Sequence, residues 1–165
     1  LVDLLDEVPI DAARFFFNLR EPNTQFVFDL DLAIQENSEN PVYYVQYAHA
    51  RICSIFTKLK SDNIEFRGTS GQDLSLLSSN EEKMLISHIA SLSDEIVLAA
   101  KQLDPSRITR YATELATRFH KFYNAQRVIS EDEGIMQARL FLCNCVRTVM
   151  KIVLTMLKID APEQM

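Results

Sequence analysis

The sequence predicts an all-α fold, a bundle of about four long helices from residue 39 to residue 165. Three observations predict it. Gly and Pro are scarce, with 3 and 5 copies in 165 residues, which argues against disorder and against a β fold rich in tight turns. Helix starts stand at Asn40-Pro41, at Ser79-Asn80-Glu81-Glu82 and at Asp104-Pro105. After each, apolar residues return near a 3.6-residue period, the mark of a helix with one buried face. A chain of this length can bury roughly 70% of the surface its unfolded form exposes, so one core suffices.

The elements follow in order. Pro9 sits near the start of a dense helical run from Asp11 to Arg20, and Glu21-Pro22-Asn23 stops it. Residues 26–34 carry two readings. Phe26, Phe28, Leu30, Leu32 and Ile34 alternate as in a strand, whereas Asp29 can cap a short helix. Asn40 as N-cap and Pro41 at the first position start a helix to about Lys60, with Val45, Ala48, Ile52, Ile55, Phe56 and Leu59 inward. Residues 61–78, with Gly68, Gly71 and many Ser, Asp and Asn, read as a loop ending in a short helical turn.

Ser79 and Glu82, three apart, form a capping box. One long helix follows to Leu103, with Leu85, Ile89, Leu92, Ile96 and Ala99 on one face. Asp104 caps the next helix, which carries Ile108, Tyr111, Ala112, Leu115, Phe119 and Phe122 towards Val128. Residues 130–134 are a break. The last helix, about 135–157, is apolar nearly all round, which predicts a central place in the bundle.

Composition bounds the function classes. No apolar run approaches the ~18 residues of a membrane span. The N-terminus has no basic region and no small-residue cleavage site, so it is not a signal peptide. It begins without Met and in mid-pattern, and a cut fragment is expected. Cys53, Cys143 and Cys145 make an odd set with neither disulfide-framework nor zinc spacing; buried reduced thiols of a cytoplasmic protein are expected. The net charge of −6 is uneven: residues 1–36 carry 8 acids and 2 bases, residues 106–165 carry 6 acids and 9 bases. Arg139, Arg147, Lys151 and Lys158 stand in a stretch, 135–158, without an acid. Either an anionic partner or a solvated basic face accounts for that run.

Two constellations carry chemistry. Tyr44, Tyr47 and Arg51 are spaced i, i+3, i+7, within a ~60° arc at the edge of the apolar face. Two phenol rings and a guanidinium on one strip suit base stacking and phosphate binding. The plain alternative is tyrosine at a core margin with arginine covering it. His120, Tyr123 and Arg127 repeat the spacing, beside Arg118 and Lys121. Each strip then supplies one wall of a groove. The three histidines, His49, His88 and His120, lack metal-ligand spacing and read as surface or hydrogen-bonded groups. Asp29 and Asp31 make a weak carboxylate pair, and Gly68-Thr69-Ser70-Gly71 lacks the strand–loop–helix setting of a phosphate cradle. No nucleophile–base set is visible, so the residues alone describe a binding module without catalytic or metal-binding residues.

A resemblance adds a ligand. Asn40-Pro41-Val42-Tyr43-Tyr44-Val45-Gln46-Tyr47-Ala48-His49-Ala50-Arg51-Ile52 resembles the first helix of the anticodon-binding domain of arginyl-tRNA synthetases. Asp11 to Phe17 resembles the last part of that family's catalytic domain, and Phe122 to Val128 its second anticodon-facing helix. Ala138-Arg139-Leu140 with Ala161 to Met165 resembles its final helix and chain end. The resemblance implies two parts: 1–38, the end of a class I catalytic domain, and 39–165, an α-helical anticodon-binding domain. It implies a monomeric cytoplasmic parent that joins arginine to its tRNA with ATP and Mg²⁺, with no membrane or DNA partner. The family's HIGH and KMSKS signatures would precede residue 1, so this piece is expected to need no cofactor and to form no arginyl-adenylate. Lys83 to Ser87 resembles KMSKS only superficially, since it sits inside a capped helix. Carried over, Tyr44, Tyr47, Arg51, Tyr123, Arg127 and the terminal Met165 pack against the anticodon loop of arginine tRNAs, with His120 in the second strip. Gln126 stands where many relatives have Cys. A helical protein–protein module, or the anticodon domain of a cysteinyl or methionyl enzyme, remains as an alternative.

Overall fold

The computed structural model describes residues 2–21, 23–68 and 71–165; Leu1, the predicted stop residue Pro22, and Thr69 and Ser70 of the predicted loop lie outside them. The described residues form eight helices and no strand: α1 (Val2–Glu7), α2 (Ile10–Asn18), α3 (Leu30–Ala33), α4 (Pro41–Ser61), α5 (Asn80–Ala90), α6 (Leu92–Gln102), α7 (Ser106–Ala125) and α8 (Glu133–Met156), with a 3₁₀ turn at Leu74–Leu76.

Local chemistry sets most boundaries. Asp29 accepts a hydrogen bond from the Leu32 N–H at 2.9 Å, so the helical reading of this segment holds for α3 and the strand reading fails. Residues 26–29 belong to no helix or strand, and Phe26 and Phe28 pack on Phe16 and Phe17 of α2 instead of on a partner strand. Asn40 is buried and works in both directions. Its Oδ1 caps Val42 N–H, and its Nδ2 donates to the carbonyls of Ala33 and Gln35, which fastens α3 to the start of α4. The Ser79–Glu82 capping box forms with both reciprocal bonds. Asp104 caps as predicted by accepting from Ser106, but the helix opens at Ser106, one residue past Pro105.

Two expectations change. The single helix from residue 79 to Leu103 is divided at Ser91 into α5 and α6. At Ser91 the backbone N–H is shared among the carbonyls of Ser87, His88 and Ile89, and the hydroxyl donates to the His88 carbonyl at 2.8 Å. The central helix is α7 rather than α8: α7 packs on α2, α4, α5, α6 and α8. Its fully buried Ala112 and Ala116 allow close approach on several sides, a role that side-chain hydrophobicity understates. One flank of α8 faces solvent, with Ile152 and Met156 each 45% exposed. The core between α7 and its neighbours holds Phe15, Ile52, Leu115, Phe119, Phe122, Leu140 and Leu154.

Cys53 and Cys143 are buried, Cys145 is half-buried, and all three thiols are free. No helix among the described residues is long and apolar enough to cross a membrane.

Candidate nucleic-acid interface

The predicted site residues come mainly from α4 and α7, which pack side by side, with Val45, Ala48, Ile52, Leu115 and Phe119 buried in the core. The next residues out on each helix therefore meet at the surface. The His120 ring lies 4.9 Å from Tyr44 and 5.9 Å from Tyr47, centroid to centroid. The Arg51 guanidinium sits 4.3 Å from the Tyr123 ring and 5.8 Å from the Tyr47 ring. Tyr43 stacks on Tyr47 at 6.4 Å with nearly parallel planes. The two strips are thus in contact and form one continuous band, not the facing walls of a groove. Their arcs lie on the mutually adjacent edges of the two helices, which closes the gap between them.

The band offers one exposed ring, several half-buried ones and a fixed cation. Tyr47 is the most open ring, and Tyr44, Arg51, His120 and Tyr123 are half-buried. Burial first, then the Arg51 charge, hold the His120 imidazole below its ordinary pKa, so it is a neutral ring near pH 7. Its Nε2 is buried without a hydrogen-bond partner among the described residues. Cation–π contact with two tyrosines fixes Arg51 without a carboxylate, which leaves its charge available to an anion.

Arg127 departs from its predicted position. Helix α7 ends at Ala125 and Gln126 is extended, so Arg127 lies in the following loop and not on the helical arc of His120 and Tyr123. It still joins the band, because this loop and the second half of α4 enclose a cleft of about 600 Å³. Arg51, Lys58, Tyr123 and Arg127 line it, with Asp62 as its one carboxylate. The surplus of positive charge beside the tyrosine rings suits a nucleic-acid backbone.

Arg139 of α8 holds that loop. Its Nε donates to Glu82 at 2.8 Å, and its terminal nitrogens donate to the Arg127 carbonyl at 2.9 Å and to Gln126 Oε1 at 2.6 Å. Glu82 is 1% exposed. Burial alone would raise its pKa; the Arg139 guanidinium and the Ser79 N–H and hydroxyl outweigh that and hold it below the ordinary value. Sequence spacing could not reveal this clamp, since its partners are 57 and 12–13 residues from Arg139.

The chain end lies along α4. Gln46 Nε2 donates to the Asp160 carbonyl at 3.0 Å, His49 Nδ1 donates to the Pro162 carbonyl at 2.8 Å, and Arg14 donates to the Lys158 carbonyl. The tail therefore advances in the direction of α4, from Gln46 to His49. Met165 is 51% exposed at its tip. His49 and His88 are hydrogen-bonded to backbone carbonyls, as their spacing led one to expect. The tail-anchoring role of His49 and the stacking of Tyr43 were not foreseen; the i, i+4 spacing of Tyr43 and Tyr47 was the available signal for the latter.

Comparison with known proteins gives consistent findings. A family model described as the DALR anticodon binding domain matches residues 45–165. The whole chain is 51% identical to an arginine–tRNA ligase of Caldanaerobacter subterraneus subsp. tengcongensis and 48% identical to one of Ruminiclostridium cellulolyticum. Each match covers 100% of this chain and 29% of the relative, so the chain spans under a third of their length. Among solved structures, a provisionally named arginyl-tRNA synthetase from Campylobacter jejuni is similar with a TM-score of 0.89 and 30% identity, over 99% of this chain and 35% of that one. The Thermus thermophilus arginyl-tRNA synthetase is similar with a TM-score of 0.78 and 29% identity, over 94% and 26% of the two chains.

Proposed function

The chain belongs to the DALR anticodon binding domain family, and from that premise we propose that it is the tRNA-gripping end of a longer arginine–tRNA ligase. The observation that carries this reading is the continuous band of Tyr44, Tyr47, His120, Arg51 and Tyr123 across α4 and α7. Unstacked loop bases lie on the exposed tyrosine faces. Each such base is worth about 1–3 kcal/mol. Arg51 and Arg127 neutralise phosphates at the adjoining cleft, and His120 holds the rings of Tyr44 and Tyr47 apart as a neutral spacer. The exposed chain end at Met165 closes over the loop.

On this reading residues 1–38 are the tail of a catalytic domain and residues 39–165 the anticodon module. The partner is arginine tRNA, and the module positions it. ATP and Mg²⁺ serve the aminoacylation step in the rest of the parent. Among the described residues no group of three or more His, Cys, Asp or Glu could hold a metal ion.

The test is steady-state charging of arginine tRNA by the full-length protein carrying Tyr47→Ala. Lost binding that is uniform between ground and transition state raises KM for tRNA with little change in kcat. The expected rise corresponds to about 1–3 kcal/mol. An unchanged KM contradicts the stacking role.

A further inference from the structure

A second cleft, of about 630 Å³, lies on the other flank of α4, between α4, α8 and the C-terminal tail. Its polar lining comprises His49, Arg147, Lys151 and Glu163 with the hydroxyls of Thr148 and Thr155, and its apolar lining includes the exposed Ile152 and Met156. The band described above uses none of these residues. His49 is 2% exposed, yet its Nε2 has no hydrogen-bond partner among the described residues. The Pro162 carbonyl can only accept, so the bond at 2.8 Å places the ring proton on Nδ1. Nε2 of the neutral ring then carries a lone pair. Burial first, with Arg147 and Lys151 acting the same way, holds His49 below its ordinary pKa despite the opposing Pro162 bond, and keeps it neutral near pH 7. A buried acceptor left without a donor is unfavourable, and such a group asks for a donor from outside.

The cleft therefore needs a ligand with an anion for two cations, a hydrogen-bond donor close to that anion, and some apolar surface. A ribose-phosphate unit has all three: the phosphate, the 2′-hydroxyl and the carbons of the sugar. The 2′-hydroxyl is the donor that RNA has and DNA lacks. Position favours the same conclusion. His49 and Tyr47 stand on opposite flanks of one helix, whose diameter is about 10 Å, a width that a few nucleotides span. Arg147 also lies 4.5 Å from the Phe56 ring and bonds Asn144 at 2.7 Å, so its guanidinium is held in place beforehand. Glu163 is the opposing charge on the exposed tail, one carboxylate against two cations.

We infer that this cleft holds one ribose-phosphate of the bound RNA, its phosphate on Arg147 and Lys151 and its 2′-hydroxyl donating to Nε2 of His49. The inference rests on the anticodon-binding reading, because that reading supplies the RNA. The site lies outside the tyrosine band and reads the backbone, so it contributes affinity and selection of RNA without selecting a base.

The experiment titrates the full-length protein with an arginine-tRNA anticodon stem-loop at several salt concentrations. Lys151 is exposed and outside the core, so Lys151→Ala is expected to fold. It should weaken binding several-fold and lower the slope of log K against log salt by about 0.7, one phosphate contact on a single strand. A set of stem-loops, each with one 2′-hydroxyl methylated, should show one position flanking the loop bases where methylation weakens binding several-fold. That methyl effect should vanish in His49→Phe. Wild-type affinity and slope in Lys151→Ala, or a methyl series with no sensitive position, overturns the inference. If Tyr47→Ala still weakens binding in that case, the anticodon reading survives it. If neither Tyr47→Ala nor scrambling of the loop changes binding, the RNA reading fails and this site fails with it.

Discussion

Replacing Arg139 with Met removes a charge from the junction of α5, α8 and the loop after α7 while keeping a long apolar side chain. The magnitude follows from the partners. Glu82 is 1% exposed and its Arg139 partner is 15% exposed on its side chain, so solvent screens the 2.8 Å pair little. Without the guanidinium, Glu82 keeps the Ser79 N–H as a donor to Oε2 and loses the one to Oε1. Breaking a buried pair on one side costs about 3–5 kcal/mol. Protonation limits the charge part: neutralising a carboxyl with a pKa near 4.3 at pH 7 costs about 3.7 kcal/mol, at 1.36 per pH unit. Bonds to Gln126 and the Arg127 carbonyl are lost as well, but shared partners make the terms non-additive. The expected loss is about 3–4 kcal/mol, or roughly 10 °C in Tm for a chain of this size. Urea unfolding followed by circular dichroism measures it. The pH dependence supplies the sign. In the wild type the Glu82 pKa is depressed, so its stabilisation is present above the unfolded value and is lost as pH falls through the folded one. In Arg139→Met only the Ser79 bonds still oppose burial, the pKa rises, and the penalty fades as pH falls towards 4. The two curves should therefore converge in acid. A loss below about 1 kcal/mol at pH 7, or curves that stay parallel down to pH 4, refutes the clamp.

Two other predictions concern the fold. His49, His88 and His120 all have pKa values lowered first of all by burial; the unfolded chain then binds more protons just below pH 6.5, so stability should fall as pH drops from 7.5 to 5.5. Urea midpoints at the two pH values check this, and an unchanged midpoint contradicts it. Leu103 ends α6 at φ 53° and is 80% exposed. Glycine suits that left-handed position, so Leu103→Gly should raise stability by roughly 0.5–1 kcal/mol, measured by the same unfolding curve, and a loss would contradict the strain argument.

How much of this was legible depended on the range of the signal. The starts of α4, α5 and α7 follow from Asn40, Ser79 and Asp104, whose side chains bond backbone within two or three residues. The break at Ser91 was hidden, because the apolar period of Leu85, Ile89, Leu92 and Ile96 runs through it. For the band, spacing gave two strips at core margins, and the contact between them needed the packing of α4 on α7. Arg127 was misplaced by extending a helical arc past the real end of α7 at Ala125. The basic run of α8 divides into unlike parts that composition cannot separate: Arg139 enters a buried clamp, whereas Arg147 and Lys151 line an open cleft. Bonds joining residues more than a hundred apart, such as His49 to Pro162, leave no local trace.

The most direct test of the central claim is titration of the chain with two RNA stem-loops of identical stem, one with the arginine-tRNA anticodon loop and one with that loop scrambled. Both are measured by fluorescence anisotropy at one salt concentration, for the wild type and for Tyr123→Ala. The account predicts tighter binding of the cognate loop by the wild type, and loss of about 1–3 kcal/mol of that binding in Tyr123→Ala with helicity unchanged. Equal affinity for the two loops, or full cognate affinity in Tyr123→Ala, would contradict it.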